Sequence, residues 1–122
     1  MKHPIAFSPP DMGEQEIAAV TEVIRSGWIT TGPKTKEFER RLSEYCGTAR
    51  TACLGSATAA LELTLRLLGI GPGDEVITSA YTYTASASVI CHVGATPVLV
   101  DTAPGSYEMD LEQIKTAITP HT

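Results

Sequence analysis

Between Thr51 and Asp101 the chain alternates short apolar runs with helix-length segments, and no other feature constrains the fold as tightly. The run TACL leads into Gly55-Ser56-Ala57-Thr58 and a leucine-rich helix. Then come an apolar run over Glu75–Thr78, a segment rich in Ala and Ser, and the run TPVLVD. Apolar runs of this length separated by helices are what an open α/β sheet with crossover connections requires. Ligands of such sheets bind beyond the carboxyl ends of the strands. Here those ends carry Gly55-Ser56-Ala57-Thr58 and Ser79-Ala80-Tyr81-Thr82-Tyr83, and the chemistry is expected there.

The flanking segments read as helices and turns. Met1 to Pro10 holds three prolines and no periodicity, so it is expected to be extended. From Gly13 onward, Ile17, Val20, Val23 and Ile24 fall at helical spacing, with Glu14 and Glu16 early and Arg25 late, as the helix dipole favours. Gly27 is the expected stop. A second helix is expected over Thr35–Tyr45, with Phe38, Leu42 and Tyr45 on one stripe and a charged solvated face, ending at Gly47. Arg50–Leu54 reads as a strand and Ala59–Leu68 as a helix apolar on most faces, with Glu62 and Arg66 paired at i, i+4. Thr82–Val93 reads as a helix and Pro97–Asp101 as a strand covered on both faces. Asp110 caps a last helix, with Gln113 completing a capping box, and the next strand is expected to begin near Thr119–Thr122.

The totals exclude several functions. The 122 residues fit one domain or less. A net charge of −5 provides no basic footprint for nucleic acid or an anionic membrane. No apolar run approaches the ~20 residues of a membrane span, and MKHPIAFSPP lacks a signal-peptide core, so a cytoplasmic protein is expected. Cys46, Cys53 and Cys91 form no CxxC pair, which argues for reduced thiols rather than a metal site or a disulfide framework.

The turn at Gly55–Thr58 is the first candidate site. Backbone N–H groups at a helix start, with two hydroxyls beside them, suit an anion such as a phosphate, although many strand–helix turns use Gly and Ser with no ligand. The GxGxxG and GxxxxGK[ST] spacings are missing, so neither a dinucleotide nor a nucleoside-triphosphate fingerprint is present. Tyr81 and Tyr83 either pack at the sheet rim or offer a ring to a flat ligand whose phosphate sits at Ser56–Thr58. The Trp28-Ile29-Thr30-Thr31-Gly32-Pro33 loop holds the only tryptophan, and two readings stay open: Trp28 pinned in the core, or facing a ligand or partner. His92, amid Val89, Ile90 and Val93, reads as a satisfied helix histidine rather than a catalytic one, and no metal-ligand set or catalytic triad is evident.

Taken together, FSPPDMGEQEIAAVTEVIRSGWITTGPKTKEFE, LGSATAALELTLRLLGIGPGDEVIT and HVGATPVLVD resemble the N-terminal part of the DegT/StrS family. These are pyridoxal-phosphate-dependent nucleotide-sugar aminotransferases of fold type I. The resemblance covers essentially the whole chain, and GWITTGP is most similar to enzymes making 4-amino sugars, such as the 4-amino-4-deoxy-L-arabinose aminotransferase. It implies a three-layer αβα fold in which residues 1–122 are the N-terminal part of a truncated, aspartate-aminotransferase-like large domain, without the C-terminal domain. Ser56, Ala57 and Thr58 then match the turn that holds the phosphate of pyridoxal 5'-phosphate, and Tyr83 the aromatic ring stacked on its pyridine. The loop with Trp28, Thr30 and Thr31 matches a segment near the substrate side of a homodimer's site.

The Schiff-base lysine and the acidic partner of the pyridine nitrogen lie, by the same resemblance, beyond residue 122, and Lys2, Lys34, Lys36 and Lys115 match no such motif. No catalytic residue is therefore assigned in this chain. The implied reaction moves an amino group from an amino acid, glutamate by expectation, to a keto sugar nucleotide in cell-surface polysaccharide biosynthesis. The alternative is a non-catalytic fragment that at most binds a phosphate.

Overall fold

The computed structural model describes Ile5 and residues 8–122; part of the extended segment expected over residues 1–10, with Lys2, lies outside the described residues. The chain divides into two compact units, Met1–Cys53 and Leu54–Thr122.

The first unit is built on α1 (Glu14–Ser26) and α2 (Pro33–Cys46). The Gly13 N–H donates to Glu16 Oε2 at 2.7 Å, and this backbone hydrogen bond holds the Glu16 carboxyl below its ordinary range. Both helices end on a left-handed glycine, Gly27 at φ 74° and Gly47 at φ 65°, a conformation that disfavours a Cβ. Helix α2 starts two residues earlier than the spacing of its apolar stripe suggests. Pro33 takes the first helical position, where its missing N–H costs nothing and its φ is preset. The apolar stripe of α1 (Ile17, Val20, Ile24) and Phe38 and Tyr45 of α2 are exposed.

The strand expected over Arg50–Leu54 does not form. A strand exists only where a neighbouring backbone completes its ladder, and within the first unit these residues meet side chains instead. The Cys53 N–H donates to Glu39 Oε1 at 2.8 Å, and the Thr51 and Ser43 hydroxyls lie 2.8 Å apart. Desolvation, and then the Glu39 carboxylate, raise the Cys53 pKa, which makes it a poor thiolate.

The second unit contains a parallel βαβ crossover: β1 (Glu75–Ser79), α4 (Thr84–His92) and β2 (Thr96–Val100), preceded by α3 (Ala57–Leu67) and followed by α5 (Leu111–Ala117). The register sets Val76 opposite Pro97 and Ile77 opposite Val98. Helix α4 packs on both strands and on α3, while α5 packs on β2. The core is Val89, Ile90, Val93 and Ala95, with Leu65, Ile70 and Val76 partly buried against it. Residues 119–122 form a turn rather than a third strand, and the His121 carbonyl accepts the Glu75 N–H at 2.8 Å.

Two burial expectations change. Only Val100 of β2 is fully buried, Pro97 and Val98 are half-buried, and Thr96 and Leu99 are exposed, so the strand is incompletely covered. Leu61, Leu63 and Leu67 of α3 and its C-cap Leu68 are exposed, because within this unit the helix packs chiefly on α4 and only Leu65 reaches the core. The capping box of α5 is also half made. Asp110 Oδ1 accepts the Glu112 and Gln113 N–H groups. Gln113 Oε1, however, accepts the Asp101 N–H at 3.0 Å, since the Asp110 N–H is already taken by the Asp101 carbonyl.

Two outcomes follow. Arg40, and then Arg41, bond the Glu37 carboxylate and hold its pKa at about 2 against an ordinary 4.5. A depressed folded-state pKa supports α2 above pH ~4.5, and that support is lost as pH falls toward 2. A carbon-13 titration should place the Glu37 midpoint below those of exposed glutamates; an ordinary midpoint would mean that the bridges do not persist in solution. The exposed apolar stripes and free strand edges should also make residues 1–122 on their own associate or melt without cooperativity. Light scattering with calorimetry checks this, and a monodisperse, sharply melting monomer contradicts it.

Candidate functional site

Three features of the chain could serve a ligand. The first is the start of α3. Ser56 caps the helix in an extended conformation, and its Oγ accepts the Ala59 N–H at 3.1 Å, while its carbonyl takes the Ala60 N–H. This capping leaves the Ser56 hydroxyl proton free to donate. Among the described residues, the Ala57 and Thr58 N–H groups have no protein acceptor. A Cβ built at Gly55 meets no atom within 4 Å, so the approach is open. Two free N–H groups at the positive end of a helix, beside two hydroxyls, suit a phosphate.

The second feature is the carboxyl end of β1. The Tyr81 N–H donates to Ser79 Oγ at 3.0 Å, and the Tyr81 ring stacks on Tyr107 with centroids 5.7 Å apart and planes inclined by 24°. Tyr83 is the N-cap of α4, and the residue is 84% exposed. Among the described residues Tyr81 has an aromatic partner and Tyr83 has none, so Tyr83 is the ring available for a flat ligand. Tyr107 escaped sequence reading because nothing local marks a partner so far along the chain. The turn at Ser56–Thr58 and Tyr83 belong to the same unit; Trp28, Thr30 and Thr31 lie in the other.

The third feature is that loop. The Trp28 indole Nε1–H donates to the Thr31 carbonyl at 3.0 Å, and the side chain is 58% exposed, so it is not pinned in a core. A Cβ at Gly32 would stand 2.2 Å from the indole nitrogen, so the indole lies against the Gly32 backbone and tolerates no side chain there. Trp28, Thr30 and Lys34 help line a cleft of about 480 Å³ between the end of α1 and the start of α2. Thr31 contributes its carbonyl to the indole rather than a wall of the cleft.

The remaining candidates are occupied elsewhere. His92 Nδ1 lies 3.0 Å from Glu62 Oε2, as a satisfied helix histidine should. Lys34 bonds Glu22 and Lys115 bonds Glu112 on the surface, and Lys36 is exposed on α2. No described lysine occupies an apolar pocket that would lower its pKa toward neutrality. Among the described residues no cluster of His, Cys, Asp or Glu could hold a metal ion, and no helix is long and apolar enough to cross a membrane.

Comparisons with known proteins extend these observations. The model of the DegT/DnrJ/EryC1/StrS aminotransferase family matches residues 10–122. The spore coat polysaccharide biosynthesis protein SpsC of Bacillus subtilis is 42% identical over 98% of this chain and 31% of its own length. Spr1654 of Streptococcus pneumoniae, described as a sugar aminotransferase and solved in a PLP form, is 63% identical. It superposes with a TM-score of 0.91 over 98% of this chain and 31% of its own. An aminotransferase from Psychrobacter cryohalolentis is 34% identical, with a TM-score of 0.86 over 96% of this chain and 30% of its own. The α/β fold is thus part of the fold type I aminotransferase fold, and the chain spans about a third of the length of these relatives.

One measurement tests the loop geometry. Gly32→Ala should displace the only tryptophan, moving its emission to longer wavelength and raising its quenching by acrylamide. Unchanged emission would mean that the indole does not lie on Gly32.

Proposed function

The chain belongs to the DegT/DnrJ/EryC1/StrS aminotransferase family, and from that premise we propose that it forms the N-terminal part of the cofactor-binding domain of a sugar aminotransferase using pyridoxal 5'-phosphate. The observation that carries this reading is the pairing, within one unit, of an uncommitted helix start at Ser56–Thr58 with an unpartnered, exposed ring at Tyr83. A phosphorylated aromatic cofactor needs both. The relatives solved in PLP and PMP forms support the same assignment.

The residues present fit the group. The Ala57 and Thr58 N–H groups and the Ser56 and Thr58 hydroxyls would donate to its phosphate, and Tyr83 would cover one face of its ring. When bound, the cofactor supplies an electron sink for amino transfer. This chain's residues bind and orient it, while the catalytic lysine and the acidic partner of the pyridine nitrogen come from residues outside 1–122. We extend the proposal to the reaction: a cytoplasmic homodimer moving an amino group from an amino acid, with glutamate as donor, to a keto sugar nucleotide. The family resemblance supports assigning the loop with Trp28, Thr30 and Thr31 to substrate contacts. The polysaccharide role of SpsC favours such a sugar product.

Residues 1–122 alone should have no aminotransferase activity, because the described lysines are exposed or ion-paired on helix surfaces. Borohydride reduction after incubation with pyridoxal phosphate should label them sparsely. One stoichiometric label together with turnover would overturn this.

The cofactor assignment is tested in the full-length protein. Thr58→Val should weaken cofactor binding by about 1–2 kcal/mol, the worth of one hydrogen bond to a charged group. Tyr83→Ala should loosen the cofactor while Tyr83→Phe, which keeps the π-face, hardly matters. Equal losses from both Tyr83 variants would show that the hydroxyl counts and stacking does not. An unaltered affinity in Thr58→Val would remove the phosphate assignment.

A further inference from the structure

The two groups assigned to the cofactor each stand at the beginning of a helix, Ser56–Thr58 on α3 and Tyr83 on α4. The distance between them is therefore set by how α3 lies on α4. The apolar part of that contact is modest, since Leu65 alone of the α3 leucines reaches the core around Val89, Ile90 and Val93. A polar junction completes it. Glu62 Oε1 accepts from Arg66 Nη2 at 2.7 Å and Nε at 3.0 Å, and Glu62 Oε2 meets His92 Nδ1 at 3.0 Å. Arg66 Nη2 also approaches the His92 carbonyl at 3.4 Å, placing a cation at the negative end of α4. Arg66, and then His92, hold the Glu62 carboxyl below its ordinary range, as a carboxylate shared by two donors should be.

We propose that Glu62 is a positioning residue for the cofactor site: by bonding Arg66 on its own helix and His92 on the next, it fixes α3 on α4 and so sets the separation between the phosphate turn and Tyr83. The inference rests on the cofactor reading above. Glu62 itself lies a turn or more from the residues that touch the ligand, and acts through the helices. Its neighbour pairs differ in kind. Lys115–Glu112 joins two residues of one helix, and Arg40 and Arg41 bond glutamates of their own helix. Glu62–His92 is the contact that crosses between the two helices carrying the site.

The test uses the full-length holoprotein and reads cofactor affinity, the visible circular dichroism of the bound cofactor, and the melting temperature of the cofactor-free protein. Glu62→Ala should raise the cofactor dissociation constant about two- to tenfold and reduce the dichroic band. Glu62→Gln, which can still accept from Arg66 and pair with His92, should restore most of both. The double variant Glu62→Ala with His92→Ala should lose no more than Glu62→Ala alone, and Glu112→Ala serves as the surface-pair control. A fall in melting temperature with unchanged affinity and dichroism would reduce Glu62 to a structural role and overturn the proposal. So would additive losses at Glu62 and His92, or an equal loss from the control. These failures are separable from failure of the cofactor reading, which shows instead as an unaltered affinity in Thr58→Val.

Discussion

Helix α4 lays Val89, Ile90 and Val93 onto the two parallel strands, and the second unit's geometry follows from that burial. Ile90 is 1% exposed and Val89 2%, in a unit where most other apolar side chains remain open to solvent. Fully burying a side chain of this size contributes about 1.5–3 kcal/mol. The same burial decides where the candidate site residue Tyr83 stands. A crossover helix that covers both strands must begin beyond the carboxyl end of the first, so the N-cap of α4, Tyr83, is delivered to the rim of the sheet. There Tyr83 is largely exposed and has no aromatic partner inside the unit. Tyr81, two residues earlier, is turned aside to Tyr107.

The start of α3 applies a second constraint, the electrostatics of helix termini. Four N–H groups at any helix start lack intrahelical acceptors. Ser56 answers for Ala59 with its Oγ and for Ala60 with its carbonyl, which leaves Ala57 and Thr58. At the start of α5, by contrast, Asp110 Oδ1 accepts two N–H groups and its carboxylate already carries the negative charge that the dipole favours. A serine cap is neutral, so the anion that the start of α3 would attract has to come from outside the chain. The two helix starts thus differ in the charge of their capping side chain: α5 carries a carboxylate and α3 a neutral hydroxyl.

Much of this could be read from sequence because it is local. Gly27 and Gly47 stop their helices as expected, Ser56 sits where a cap should be, and Glu62–Arg66 pairs at i, i+4. What escaped is set by partners distant in the chain. Gln113 Oε1 accepts from Asp101 because the bridge between Thr102 and Met109 uses the Asp110 N–H, while its Nε2 donates to Asp110 Oδ2 at 3.4 Å. His92 could be judged satisfied, but nothing in the spacing told that Glu62, thirty residues earlier, would satisfy it. The run at Arg50–Leu54 has strand composition and no strand, because β structure depends on a neighbour that composition does not supply. Pro33, assigned to the preceding loop by its neighbours, is instead the first residue of α2.

The two edges of the small sheet are not equivalent, and the difference lies in a few residues. In β2 the N–H groups of Thr96, Val98 and Val100 lie on the side of β1, since the Thr96 N–H donates to Asp74 and the Val100 carbonyl accepts from Ala80. Alternation then puts Pro97, Leu99 and Asp101 on the outer side. Pro97 has no N–H, and the Asp101 N–H is spent on Gln113, which leaves Leu99 as the only donor of the three. An edge so depleted resists addition of another strand. The outer side of β1 carries Glu75, Ile77 and Ser79; only Glu75 has its N–H taken, by the His121 carbonyl, and no proline interrupts the row. The side chains of β1 are all partly buried, whereas Leu99 on β2 is open. Free donors and partial cover coincide on one edge, blocked donors and exposure on the other. A neighbouring backbone would thus find donors on the β1 edge and few on the β2 edge.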